Sequence, residues 1–304
     1  MSETPRHIAV VALRRSGTTA LWNLFRQDAR YTCYDEPFSH LLHDLPADNV
    51  KRTRAEFIAL YNRDPDRFRS LYAPIPRGEE TVRGLSEKQV EYLEYFLEDG
   101  PTAFDVTRCM GKIPAIHAII PDAVLVHLYR HPVAFASSHL LPSDRFDPLG
   151  LRKRRNRSTA LTRPGRFNGW GMEELLRTKW IDTTNTLFAE VGVQLPPKSA
   201  RVPAAQRLLG GWLGAYRLAE REGRALYGSR FVSLSFEDVC RDAARNVATI
   251  RSLAGAPGEA LDVSKIRPAS VGISPTDPRW IAMARAAGFT AEEREQFFGA
   301  GVDN

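Results

Sequence analysis

The apolar run His7-Ile8-Ala9-Val10-Val11-Ala12-Leu13 passes without a spacer into Arg14-Arg15-Ser16-Gly17-Thr18-Thr19, and a helical pattern follows at once. Such a run predicts a strand buried on both faces, and a strand that feeds a helix through a Gly turn belongs in a parallel α/β sheet. The turn also predicts an anion cradle, because the orphan N–H groups and the dipole of a helix start attract negative charge. Laid on the nucleotide-binding frame G-x-x-x-x-G-K-[ST], the segment has Ala12 at the first Gly, Gly17 at the second, Thr18 at the Lys and Thr19 at the hydroxyl. The Lys is absent and its charge reappears at Arg15, so an anion site survives while ATP chemistry loses support.

The rest of the chain extends the same architecture. After the helix expected from about Thr19 to Gln27 come strands at Tyr31 to Tyr34, Thr102 to Val106, Val124 to Tyr129 and Phe231 onward, with helical patterns between them. Short crossovers between strands are right-handed and parallel, so all these strands end at one edge, where open α/β sheets bind ligands. Asp35, Glu36, Thr107, Arg108 and Arg130 each follow a strand and are expected to converge on the loop at Arg15. With 304 residues and 43% hydrophobic content, the expectation is one α/β domain over residues 1–304 with a central parallel sheet flanked by helices.

Three segments in order carry a family resemblance. Arg15-Ser16-Gly17-Thr18-Thr19 after a buried strand resembles the 5′-phosphosulfate loop of sulfotransferases that use 3′-phosphoadenosine 5′-phosphosulfate (PAPS). Arg130-His131-Pro132 with Ser138 resembles the family's 3′-phosphate motif, and Phe231-Val232-Ser233-Leu234-Ser235-Phe236-Glu237-Asp238 its late strand. The resemblance spans roughly residues 7 to 255. It implies a P-loop-like sulfotransferase fold and PAPS as donor, with adenosine 3′,5′-bisphosphate (PAP) as product. Arg14, Arg15, Ser16, Gly17, Thr18, Thr19, Arg130 and Ser138 become its binding residues, and the partner is a hydroxyl-bearing acceptor. Arg130 stands where a nucleoside-triphosphate enzyme needs an acid for Mg²⁺, so no metal is expected; a guanidinium there suits a second phosphate. An ion pair for Arg130 and an ordinary helix position for Ser138 are the plain alternatives.

Glu36 is the candidate general base. Glu36-Pro37-Phe38-Ser39-His40 is similar to the Glu-Pro arrangement after the second strand of carbohydrate-type members. Cytosolic members use a His that this chain replaces by the Thr107-Arg108 neighbourhood, and Arg takes no proton at working pH. The competing reading of Asp35-Glu36-Pro37 is a helix cap. Arg15 and Arg108 are the candidate electrophilic partners, with Arg14 facing either the site or solvent and Lys112 either the sulfonate or water. Adenine contacts stay unassigned, since Ala20 replaces the family's stacking Trp and Trp22 lies on another helix face. Arg279-Trp280 is a cofactor contact or packed core.

Leu151 to Arg166 holds seven cations and no acid against a whole-chain charge of +6, so the basicity is local to a loop at 151–166. That loop is either a gate for an anionic acceptor or a solvated run; without interleaved aromatics it does not suggest nucleic acid. A helical subregion at about 170–227 is the expected acceptor region, where Trp170, Trp180 and Trp212 stack on sugars or pack the core. Three unclustered cysteines and the lack of a spanning apolar run suggest a cytoplasmic protein. Two other functions compete: a kinase or NTPase with a degenerate loop, and a non-catalytic polyanion binder.

Overall fold

The computed structural model of the chain describes residues 4–45, 55–141, 151, 159, 161–164, 167, 171–267 and 277–299. Five strands form one sheet: β1 (Ile8–Val11), β2 (Thr32–Asp35), β3 (Thr102–Val106), β4 (Val124–Tyr129) and β5 (Phe231–Ser235). Every pairing is parallel and the order is β2-β3-β1-β4-β5. β1 is therefore central, and the loop after it opens where the connections turn from one side of the sheet to the other. This is the α/β architecture with a central parallel sheet flanked by helices.

Alternation along the strands sorts two apolar layers. Ala9, Val11, Tyr34, Phe104, Val106 and Leu125 face helices Ala55–Arg63, Pro65–Leu71, Glu87–Leu97 and Ile113–Ile119. Ile8, Val10, Cys33, Ala103, Val124, Val126 and Leu128 face the helix α1 (Thr18–Phe25) and helices Phe236–Arg241 and Ala243–Leu253. α1 buries Leu21, Trp22, Leu24 and Phe25, so Trp22 is core. Below α1, buried Asp28 accepts from Arg251 Nε at 2.9 Å and Arg30 Nη2 at 2.7 Å, which ties α1 to the helix Ala243–Leu253.

The chain divides into two compact units, residues 1–129 with 219–267, which hold the sheet, and residues 130–218 with 268–304. The second contains helices Pro132–Leu140, Met172–Leu176, Ile181–Ala189, Pro278–Ala286 and Ala291–Phe298, and helix Ala204–Tyr227 as far as Leu218. The helical pattern read from Trp170 to Glu190 breaks at Arg177, where φ is −144°, and the Trp180 N–H reaches back to the Glu174 carbonyl at 3.0 Å. Its core stacks Trp212 on Tyr216 and Phe289, with ring centroids 4.9 and 5.9 Å away, so Trp212 serves packing. Arg207, 1% exposed, donates to the carbonyls of Leu176, Pro196, Pro197 and Ala200. Among the described residues, no helix is long and apolar enough to cross a membrane.

Candidate functional site

The loop after β1 is shaped by two left-handed residues, Arg15 at φ 73° and Gly17 at φ 96°. Gly17 is required twice over. Its φ penalises an L side chain, and a Cβ there would lie 2.3 Å from a ring carbon of Phe236. α1 starts at Thr18 with no capping side chain and no acid in its first turn, which leaves its N-terminal end open to an anion. Ser16 is 1% exposed and its Oγ has no partner, an orphan of the kind an oxyanion would satisfy. Arg15 and Thr19 are exposed and Thr18 is buried. Arg14 turns inward, contrary to the solvent-facing option, and pairs with Glu80.

Glu36 follows β2. It shares with Arg15 a property found in no other described non-glycine residue, a positive φ, here 54°. Left-handed backbone at a non-Gly residue costs of order 1–3 kcal/mol and concentrates at functional sites. The conformation is held by the Glu36 N–H donating to the Asp105 carbonyl at 3.0 Å and by the Ser39 N–H donating to the Glu36 carbonyl at 2.9 Å. The capping alternative fails, because the following 3₁₀ turn His40–Asp44 is capped by Ser39. Glu36 as a residue is half-buried; Oε1 accepts from the Thr107 hydroxyl and Oε2 is buried without a partner. Burial pushes this carboxyl up from the ordinary value, against the Thr107 hydrogen bond and the charges of Arg108 and Arg14.

Thr107 and Arg108 follow β3. Arg108 Nη1 donates to Glu80 Oε1 at 3.1 Å, the oxygen that also takes Arg14, and burial lowers the Arg108 pKa. Lys112 is turned away from solvent. It is 2% exposed, and its Nζ donates to the carbonyls of Val82 at 3.1 Å and Gly84 at 2.6 Å. One acid does lie on a strand beside β1: Asp105 of β3, in register with Val10. Asp105 is fully enclosed, and burial together with the charges of Asp35 and Glu36 pushes its carboxyl well above the ordinary value.

The second unit holds the other expected residues. Arg130 is 7% exposed, not a surface ion pair, and its carbonyl accepts the Trp212 indole N–H at 2.8 Å. His131 caps the helix Pro132–Leu140 through Nδ1 and uses Nε2 on the Phe297 carbonyl at 2.6 Å. The Ser138 hydroxyl donates to the Phe135 carbonyl at 2.7 Å. Trp280 is fully buried, the packed-core alternative, and Arg279 pairs with Asp277 at 2.6 Å. Arg163 is exposed. Arg152, Lys153, Arg154, Arg155, Arg157, Arg166 and Trp170 lie outside the described residues.

A family model described as the sulfotransferase family matches residues 5–162, more than half of the 304. The chain belongs to the sulfotransferase family. Among solved structures, it is similar to the sulfotransferase domain of the Synechococcus PCC 7002 olefin synthase, at 13% identity over 95% of this chain and 97% of that one, TM-score 0.43. The sulfotransferase domain from the curacin biosynthetic pathway is 11% identical over 94% and 98%, TM-score 0.47. A sulfotransferase from Alicyclobacillus acidocaldarius is 16% identical over 95% and 98%, TM-score 0.41. No curated protein matches the chain.

In this sulfotransferase the loops after β1, β2 and β3 bring Arg14, Glu36, Thr107 and Arg108 together, with Ser16 and Gly17 in the same β1 loop. Glu80, which joins the two arginines, was missed by sequence reasoning. Nothing local in Gly78-Glu79-Glu80 marks one carboxylate as buried; only the 66-residue and 28-residue contacts to Arg14 and Arg108 do.

Proposed function

We propose that the chain moves a sulfuryl group from PAPS to a hydroxyl of a carbohydrate, or of a glycosylated or other small metabolite, by in-line transfer with Glu36 as general base. The observation that carries this reading is Glu36: strained at φ 54°, with one carboxyl oxygen buried and unpartnered and two guanidiniums within electrostatic reach. Its raised pKa strengthens it as a proton acceptor, and Oε2 is the atom with capacity for the acceptor's proton. Arg14, Arg15 and Arg108 are assigned to the sulfuryl oxygens, where fixed cations typically supply a few kcal/mol against developing charge. The open α1 end, the Ser16 hydroxyl and the backbone and hydroxyls of Gly17, Thr18 and Thr19 are assigned to the 5′-phosphosulfate.

The donor supplies an activated sulfuryl group, and its binding chemistry fits an uncapped helix start with an orphaned hydroxyl beside it. Arg130 and Ser138 are assigned to the 3′-phosphate on family resemblance, and the absence of a metal requirement rests on the same ground. The basic run at 151–166 would select an anionic acceptor. Cys33, Cys109 and Cys240 form no disulfide, which suits a reducing cytoplasm.

The test is transfer of ³⁵S from labelled PAPS to a panel of sugars, glycosides and phenols by the wild type and by Glu36→Gln. The reading expects label on a hydroxyl, and a loss of about 100-fold or more in the variant with PAP binding retained. Full turnover in Glu36→Gln removes the base. Phosphate transfer from Mg-ATP in place of sulfuryl transfer makes the protein a kinase.

A further inference from the structure

Arg14 and Arg108 carry like charges on different loops, and both reach a single carboxylate oxygen, Oε1 of Glu80. Glu80 is 2% exposed and its segment is fastened on three sides. The Gly111 N–H donates to the Glu80 carbonyl at 3.2 Å, Lys112 Nζ holds the carbonyls of Val82 and Gly84, and Arg83 pairs with Glu222 at 2.6 Å. Meanwhile Glu36, within electrostatic reach of both guanidiniums, bonds neither of them: Oε1 takes the Thr107 hydroxyl and Oε2 takes nothing.

We propose that Glu80 is a positioning residue that holds Arg14 and Arg108 side by side and, by engaging them, keeps the Glu36 carboxylate from being neutralised by either. The inference rests on the sulfuryl-transfer reading for its functional meaning. Glu36 and Glu80 compete for the same two cations. A buried carboxylate next to an unengaged guanidinium forms an ion pair, and an ion-paired carboxylate is a weak base. Glu80 answers the two cations with one fixed anion and leaves Glu36 its basicity. The charged and titratable groups around Glu36 are Asp35, Asp105, Arg14, Arg108 and Cys109; around Glu80 they are Arg14, Arg108, Glu79, Lys112 and Cys109.

The experiment titrates the Glu36 carboxyl by ¹³C NMR, assigned by its loss in Glu36→Gln, in wild type and in the isosteric Glu80→Gln. The Glu36 pKa is expected to fall by about one unit or more in Glu80→Gln as the released arginines turn to it. In the transfer assay the acid limb of the kcat profile should move to lower pH. At neutral pH kcat should drop about tenfold or more while the KM for PAPS holds or falls. Because Glu80→Gln also removes a negative charge near Glu36, the charge-conserving Glu80→Asp decides between positioning and structure, whether or not Glu80→Gln folds. One methylene too short to span both cations, it should shift the titration the same way by less. A purely structural Glu80 would lower the melting temperature there and leave the Glu36 titration where it was, which overturns the proposal. The NMR readout needs no acceptor, so a wild type that transfers nothing refutes the sulfuryl-transfer reading while the titration still decides Glu80.

Discussion

Replacing Gly17 by Ala adds one carbon, and the structure divides its cost into two parts. Held at φ 96°, an L residue costs about 1–2 kcal/mol relative to its relaxed backbone. The new Cβ would also lie 2.3, 2.5 and 2.8 Å from three carbons of the Phe236 ring, where contact begins at about 3.5 Å. That ring is 8% exposed at the first turn of helix Phe236–Arg241, so relief means displacing packed core, at about 1–3 kcal/mol. The total is about 2–5 kcal/mol, a large part of a typical domain's margin. Urea unfolding followed by tryptophan fluorescence reads it, and a double-mutant cycle with Phe236→Ala separates the parts. In the Phe236→Ala background the clash is gone and only the backbone term stays, so Gly17→Ala should cost about 1–2 kcal/mol there. An equal cost in both backgrounds would refute the contact between the loop and the ring. The folded fraction of Gly17→Ala should also lose PAP binding, since any relief of the clash moves the N–H groups that cradle the phosphate.

The Asp28 carboxylate is held below its usual range chiefly by the hydrogen bond from Arg30. Its folded pKa lies below the unfolded 3.8, so its contribution to stability is complete above that value and is lost as pH falls through the folded pKa. Urea midpoints measured down the acid range should decline less steeply for Asp28→Asn than for wild type, and parallel curves would contradict the pairing. Glu36 has the opposite shift, and turnover needs its ionised form. The rate should therefore rise with pH through an apparent pKa above 4.5, and the residual rate of Glu36→Gln should lack that limb. Arg207→Met keeps the bulk but strips four carbonyls of their donor, at a cost of about 3 kcal/mol or more by the same urea assay. An unchanged midpoint would show that water replaces the guanidinium there.

Strands were legible because burial on both faces leaves a plain apolar signature. Thr102–Val106 and Val124–Tyr129 stand at the positions expected from sequence, and Ile8–Val11 lies inside the run from His7 to Leu13. The loop after β1 was legible for a related reason, since Gly17 and the hydroxyls beside it are chemistry with few other uses. The direction of Arg14, toward the site or toward solvent, was left open by the sequence. Strand alternation stops at Val11, and the turn closed by the Ser16 N–H on the Leu13 carbonyl then decides which guanidinium points inward. Glu36 was found through its neighbours in sequence, but its strained backbone depends on the Asp105 carbonyl on the next strand. Glu80, the Phe236 ring against Gly17 and the burial of Lys112 all rest on contacts between distant segments, which no local pattern records.

Whether PAPS is the donor is decided by calorimetric titration of the wild type with PAP and with AMP, in EDTA. PAP should bind at least about tenfold tighter than AMP, a difference of some 1.4 kcal/mol for the 3′-phosphate. Arg130→Ala should erase that difference while leaving AMP affinity as it was. Equal affinities for PAP and AMP in the wild type, or binding only of Mg-ATP once Mg²⁺ is restored, would contradict the donor assignment.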